Sequence, residues 1–148
     1  MGKVIGIATR IKTKASMEVC TTANVSFEKG IGNDSRGVIK GDRQVTVMTQ
    51  ECWDIACTEL SQKMRWTTRR ANILIEGIDL ENTKGCLLKV GNFMLEITGE
   101  LKPCPRMDEQ IVGLTKTLIP NWRGGVTCKI IKEGTVNEGD KVTIERVK

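Results

Sequence analysis

The sequence contains no histidine and no tyrosine, and its six cysteines include no Cys-x-x-Cys pair. Without imidazole there is no His-based triad and no histidine general base, and the ordinary zinc ligand sets are excluded with them. Aromatic residues make up only 3% of the chain, which leaves little surface on which single-stranded nucleic acid could stack. No apolar run approaches the roughly 20 residues that a membrane-spanning helix needs, so no membrane partner is expected. The stretch Gly2-Lys3-Val4-Ile5-Gly6-Ile7-Ala8 is apolar only briefly before Arg10, Lys12 and Lys14, and reads as a first strand rather than a secretory leader. Six cysteines in that setting suit reduced thiols in the cytoplasm better than a disulfide framework.

The composition that remains is that of a globular chain. With 39% hydrophobic and 28% charged residues over 148 positions, a single domain spanning 1–148 with one core is expected. The net charge of +5 favours an anionic ligand. Because the basic residues are scattered, nucleic acid is not the expected anion.

Hydrophobic periodicity predicts mostly strands. Val4 to Ile11 reads as one, and Gln44 to Thr49 alternates polar and apolar residues as a half-buried strand does. Between them, Glu28 to Arg43 holds Gly30, Gly32, Gly37 and Gly41 and is expected to be a long loop. From Thr49 to Met64 the residues Trp53, Ala56, Cys57, Leu60 and Met64 recur at helical spacing, with Thr49 as the cap and Cys57 facing the core. A short strand is expected over Asn72 to Glu76. Gly91-Asn92 then forms a two-residue turn that pairs Val90 with Phe93, Leu88 with Leu95 and Cys86 with Ile97, placing six apolar side chains on one face. Cys86 is therefore structural. Met107, Ile111, Leu114 and Leu118 predict a second helix ending before Pro120, and strands over Val126 to Lys132 and Lys141 to Val147 finish the chain. Seven or more short strands with two helical insertions favour a mainly β fold, a closed or nearly closed β-barrel.

One cysteine stands apart by its context. Pro103 and Pro105 make the loop around Cys104 stiff and extended, and Lys102 and Arg106 favour its thiolate, which is both a nucleophile and a soft metal ligand. The alternative is a loop cysteine buried for packing. Arginines form a second constellation: Arg36 and Arg43 in the Gly-rich loop, Arg69 and Arg70 before the Asn72 strand, and Arg123 before Gly124-Gly125. Their forks suit phosphate or carboxylate, although any one of them could simply be an exposed arginine near a turn. Asp108 could bond a ligand amine or favour the start of the helix that follows. Asp34, Asp42 and Asp79 sit in turn-like settings.

Taken in order, several segments resemble the MOSC domain, which is named for the C-terminal part of molybdenum cofactor sulfurases and is also the catalytic part of amidoxime-reducing proteins. The segments are Gly32-Asn33-Asp34-Ser35-Arg36-Gly37, Gly41-Asp42-Arg43-Gln44-Val45-Thr46, Arg70-Ala71-Asn72-Ile73, Gly77-Ile78-Asp79-Leu80, Pro103-Cys104 with Asp108, and Arg123-Gly124-Gly125 with Cys128, Gly134, Gly139 and Asp140. The family's first motif often reads Gly-Asp-Arg-His, a pattern this chain lacks.

The resemblance implies a barrel holding a molybdenum-pterin cofactor, with Cys104 ligating the metal or carrying sulfur as a persulfide. It also implies that Arg43, Arg70 and Asn72 line an anionic pocket and that Asp108 assists near Cys104. Arg36, Lys102 and Arg123 complete the candidate cofactor-binding set. The expected role is cofactor handling, sulfuration or a small reductase reaction, with a cysteine desulfurase or an electron-donor protein as partner. The alternatives are a cofactor-free sulfur carrier served by a pyridoxal-phosphate desulfurase, and a basic interaction module without catalysis.

Overall fold

The computed structural model of the chain describes residues 2–10, 17–32, 34, 41–69, 71–103, 105–109 and 111–146, with the backbone alone at Pro105 and Arg106. Arg36, Arg70 and Cys104 lie outside the described residues. The strands are β1 (Gly2–Thr9), β2 (Glu18–Cys20), β3 (Thr22–Ser26), β4 (Gly30–Ile31), β5 (Val45–Thr49), β6 (Ile73–Glu76), β7 (Leu87–Val90), β8 (Phe93–Glu100), β9 (Val126–Lys132), β10 (Gly134–Asn137) and β11 (Lys141–Glu145). Among the described residues two α-helices accompany them, α1 (Gln50–Glu59) and α2 (Leu114–Leu118).

Seven of the strands close a barrel, running β1, β11, β7, β8, β9, β5, β6 and back to β1. Closure falls on β1. One of its edges pairs with β6, while the other is divided between β11, at Gly2 and Lys3, and β2, at Ile7 to Thr9. An irregularity between Val4 and Gly6 bends the strand there. Gly6 is required at that bend, because a Cβ would lie 2.8 Å from the Trp66 ring. The barrel is thus closed and mainly β, as its strand pattern predicts. A separate small sheet is formed by β10, β3 and β4.

The hairpin of β7 and β8 has the register that its turn dictates, Val90 opposite Phe93 and Leu88 opposite Leu95. The Ile97 N–H donates to Cys86 O at 2.9 Å, and all six apolar side chains of that face are buried in the barrel with Val4, Ile7, Val45, Val47, Ile73 and Val126. A second cluster lies outside the barrel wall. Met48 and Leu74, which are register partners on β5 and β6, point outward into it and meet Trp53, Ala56, Met107, Leu114 and Leu118. This outer cover corrects the expectation of a half-buried β5, since all five of its residues are buried. Cys57 packs against the same cluster, as its helical spacing requires.

Other expectations need correction at their boundaries. Thr49 caps α1 by accepting from the Cys52 N–H, but the helix stops at Glu59, short of Met64, because Ser61 takes a positive φ of 52°. Trp53 Nε1 still donates to Met64 O at 3.0 Å, so the following segment packs back on the helix. The helix expected over Met107 to Leu118 divides into a 3-10 turn (Pro105–Glu109) and α2, broken by Gly113 at φ 89°. Within the Glu28 to Arg43 region, Gly30–Ile31 is a short strand paired with β3. The last connection likewise contains β10, paired with β3 from Gly134 to Asn137. The first strand starts at Gly2 and ends at Thr9, and the last strand ends at Glu145; Ile11 and Val147 lie outside the described residues.

Leu95→Ala, which empties a fully buried site in the barrel, is expected to destabilise the chain by about 2–5 kcal/mol in urea unfolding. Ile131→Ala, at an exposed position of β9, is expected to change stability by less than about 0.5 kcal/mol.

Candidate functional site

The chain leaves β8 at Glu100 and enters the segment Leu101-Lys102-Pro103, which leads to Cys104. Both ends of this loop are held. Leu101 is buried, and its N–H donates to Gly125 O at 2.9 Å. Met107, on the far side, is buried in the outer cluster. Between them sits Arg69, 7% exposed at the end of a 3-10 turn (Trp66–Arg69). Its Nη2 donates to Leu101 O at 2.8 Å, its Nε to Gly124 O at 3.1 Å, and its Nη1 reaches Met107 Sδ at 3.7 Å.

Glycine is needed where the loop meets the turn before β9. A Cβ on Gly124 would lie 2.6 Å from Leu101 O, and one on Gly125, at φ 100°, would lie 2.3 Å from Val47 O. Asn121 and Trp122 just before them both have positive φ, at 55° and 57°. Sequence reading grouped Arg69 with the other arginines but did not assign it to the site; its buried position was not visible in the residue pattern.

A row of polar groups crosses the barrel wall beside this loop. Where Val45, Val47, Val126, Cys128 and Ile97 fill the barrel, the intervening Thr46 and Thr127 take the outer face. The bulge between Ile97 and Gly99 brings Thr98 to Thr127, with the two hydroxyls 2.7 Å apart. Thr98 Oγ1 also donates to Asp42 O, which ties the turn carrying Arg43 to β8. Arg43 itself is exposed.

At the other end of the row, Asn72 is 3% exposed and its amide is engaged by the fold. Its Oδ1 accepts from Thr46 N at 3.1 Å and Thr46 Oγ1 at 3.2 Å, and its Nδ2 donates to Ala8 O at 3.2 Å. Asn72 therefore joins β1 to β5 at the mouth of β6. Asp34, 4% exposed, makes a comparable long-range bond by accepting from Arg10 N at 2.7 Å, which ties the chain after β4 to the end of β1.

The remaining candidates divide by what they touch. Lys102 is exposed on the loop. Arg123 Nη1 donates to Glu59 Oε2 at 2.9 Å and Thr117 O at 3.0 Å, which links α1 to α2. Its Nε is buried without a hydrogen-bond partner among the described residues. Asp108 Oδ1 accepts from Thr115 N at 2.9 Å, anchoring the first turn of α2. That backbone bond, with help from the Thr115 hydroxyl and Gly113 N–H, holds the Asp108 carboxyl below the usual carboxylate range.

The other thiols offer little. Burial pushes Cys128 far up, burial and then Glu138 raise Cys20, and burial raises Cys52.

Among the described residues, no group of three or more His, Cys, Asp or Glu side chains is placed to hold a metal ion. What they present instead are donors: the Arg43 and Lys102 cations and the enclosed Arg123 Nε. Cations of this kind suit a phosphate-bearing cofactor that brings most of its metal ligands with it, and the described residues form no cage of protein ligands.

A protein-family model for the MOSC domain matches residues 31–143, which include every candidate site residue. The chain belongs to the MOSC domain family. This is the family associated with molybdenum cofactor sulfurases. The crystal structure of the YuaD protein from Bacillus subtilis superposes with a TM-score of 0.83 at 16% identity, covering 100% of this chain and 98% of that one. YiiM from Geobacillus stearothermophilus gives 0.76 at 12% identity, over 100% of this chain and 76% of that one. YiiM from Escherichia coli gives 0.69 at 14% identity, over 99% and 70%. At these identities the likeness is one of fold. No curated protein sequence matches the chain. No described helix of this MOSC domain is long and apolar enough to cross a membrane.

The lowered Asp108 carboxyl sets a pH dependence. Its stabilising bond to α2 is fully present above the unfolded-state carboxyl value of about 3.9 and is lost as pH falls through the lower folded value. Asp108→Asn is expected to lower the melting temperature relative to the parent near neutral pH, and the gap should close as pH falls through the lowered folded value. Thermal unfolding of both proteins across pH checks this, and a gap that persists into acid would contradict the assignment.

Proposed function

We infer that the chain binds a molybdenum-pterin cofactor on the outer wall of the barrel, beside β5, β8 and β9, and acts in cofactor handling, sulfuration or a small reductase reaction. Cys104 is the thiolate ligand or the carrier of a sulfane sulfur. The observation that carries this reading is the anchoring of the Cys104 loop at Leu101 and Met107, alongside a polar wall and a tethered Arg43 turn. Membership of the MOSC family supports the cofactor class. When bound, the cofactor supplies a redox-active metal, which no side chain of this protein provides.

Within this reading the exposed Arg43 and Lys102 neutralise the cofactor's phosphate, and the family resemblance adds Arg36 and Arg70. The Arg123 Nε is a buried donor suited to one acceptor of a bound group. Asn72, its amide already engaged with Ala8 and Thr46, keeps the wall in shape under the ligand. Asp108 fixes α2 against the loop. Burial raises Cys20, Cys52 and Cys128, Cys86 is buried in the barrel and Cys57 packs against the outer cluster, so this reading assigns the reactive thiol to the Pro-flanked Cys104. The partner is a cysteine desulfurase or an electron donor.

The test is metal and pterin content after anaerobic purification from a host that makes the cofactor. The parent is expected to hold close to one molybdenum per chain and Cys104→Ser almost none. The double variant Arg43→Glu, Lys102→Glu is expected to lose roughly tenfold or more in retention, because it sets carboxylates against the phosphate. Full molybdenum content in Cys104→Ser would sink the ligand assignment. A parent without metal that carries persulfide on Cys104 would make the chain a cofactor-free sulfur carrier.

A further inference from the structure

We propose that Arg69 is a positioning residue for the segment that carries Cys104, a buried fork that ties Leu101 and Met107, on either side of that cysteine, to the turn at Gly124. This role rests on the cofactor reading above for its consequence, but not for its geometry.

Pro103 and Pro105 have no N–H, so the stretch from Leu101 to Met107 lacks two of the donors with which a loop usually pins its own backbone. A donor from outside the stretch meets the carbonyl of Leu101. A guanidinium is made only of donors, arranged in a rigid fork that can meet acceptors on separate segments. Arg69 uses that fork on Leu101 O at 2.8 Å, Gly124 O at 3.1 Å and Met107 Sδ at 3.7 Å. Leu101 and Met107 each lie three residues from Cys104, so the fork grips the loop symmetrically about it.

Placing an arginine at 7% exposure costs desolvation, which its bonds to Leu101 O and Gly124 O offset. The neighbouring residues are adapted to the grip. Gly124 has no room for a Cβ, which would stand 2.6 Å from Leu101 O and 3.1 Å from Arg69 Nη2. The backbone bond from Leu101 N to Gly125 O, 2.9 Å, closes the same junction from the other side.

The experiment compares the parent with Arg69→Met and Arg69→Lys, reading site-resolved hydrogen exchange together with molybdenum and pterin per chain. Both variants are expected to exchange roughly tenfold or more faster at the Leu101 and Gly125 amides, while the Ile97 amide of the β7–β8 hairpin keeps its parent rate. Both are expected to lose roughly tenfold or more in cofactor retention, as removal of a group that orients a metal ligand does. Lysine restores the charge but cannot fork, so full recovery in Arg69→Lys would overturn the proposal. Unchanged exchange at Leu101 would overturn it too, and so would faster exchange with undiminished retention, which would make Arg69 a strut without a role at the site. If Arg69→Met fails to fold, Gly124→Ala forces the same junction apart and is expected to give the same pair of changes. A parent that holds neither molybdenum nor pterin would sink the cofactor reading, and the exchange arm alone would then decide the clamp.

Discussion

The barrel depends on how β1 distributes its backbone hydrogen bonds. A strand has two edges, and β1 uses one for β6 and splits the other between β11 and β2. Pairing Gly2 and Lys3 with Val142 and Lys141 joins the ends of the sheet, so the long edges that an open seven-stranded sheet would expose do not arise. The bend near Gly6 allows the strand to part from one partner and meet the other, and the Trp66 ring occupies the space that a side chain there would need. Closure fills the interior with apolar side chains, Val47, Ile73, Leu88, Phe93 and Leu95 among them, and the site proposed above lies on the outer wall.

That wall is covered unevenly. Over β5 and β6 the outward Met48 and Leu74 require apolar cover, which α1 and α2 supply through Trp53, Ala56, Leu114 and Leu118. Over β8 and β9 the outward residues are Thr98 and Thr127, whose hydroxyls bond to each other and to the Asp42 carbonyl. The boundary between apolar and polar cover is where the Cys104 loop leaves β8. Arg69 stands at that boundary, with its stem among buried residues and its fork on the carbonyls of the loop and the turn. Architecture and site meet in this one side chain.

Much of the fold was legible because local rules agreed with the global structure. The Gly91-Asn92 turn fixed the register of β7 and β8, and a one-residue slip would have turned the whole apolar face outward. Thr49 marked the start of α1 because its hydroxyl has an orphan N–H to accept. The end of α1 was not legible, since apolar spacing continues to Met64 while Ser61 turns the chain through a positive φ. The strands β2, β3 and β10 were missed because they are short and bury at most one residue each, Val25 in β3 and Val136 in β10, too little pattern to read. In the site, Asn72 and Asp34 stood out in the motifs, but sequence could not say that the fold engages their side chains with distant backbone, Ala8 in one case and Arg10 in the other. Arg69 was the harder case. An arginine in a run of polar residues reads as exposed, and only the topology, which brings residues 101 and 124 to it, reveals it as buried.

The measurement that bears most directly on the account is an anomalous difference map at the molybdenum edge from crystals of the cofactor-loaded protein. The predicted result is a single strong peak within bonding distance of the Cys104 sulfur, outside the barrel and on the side of the Arg43 turn and the Thr98–Thr127 pair. A peak remote from Cys104, or metal bound at another face of the barrel, would contradict it.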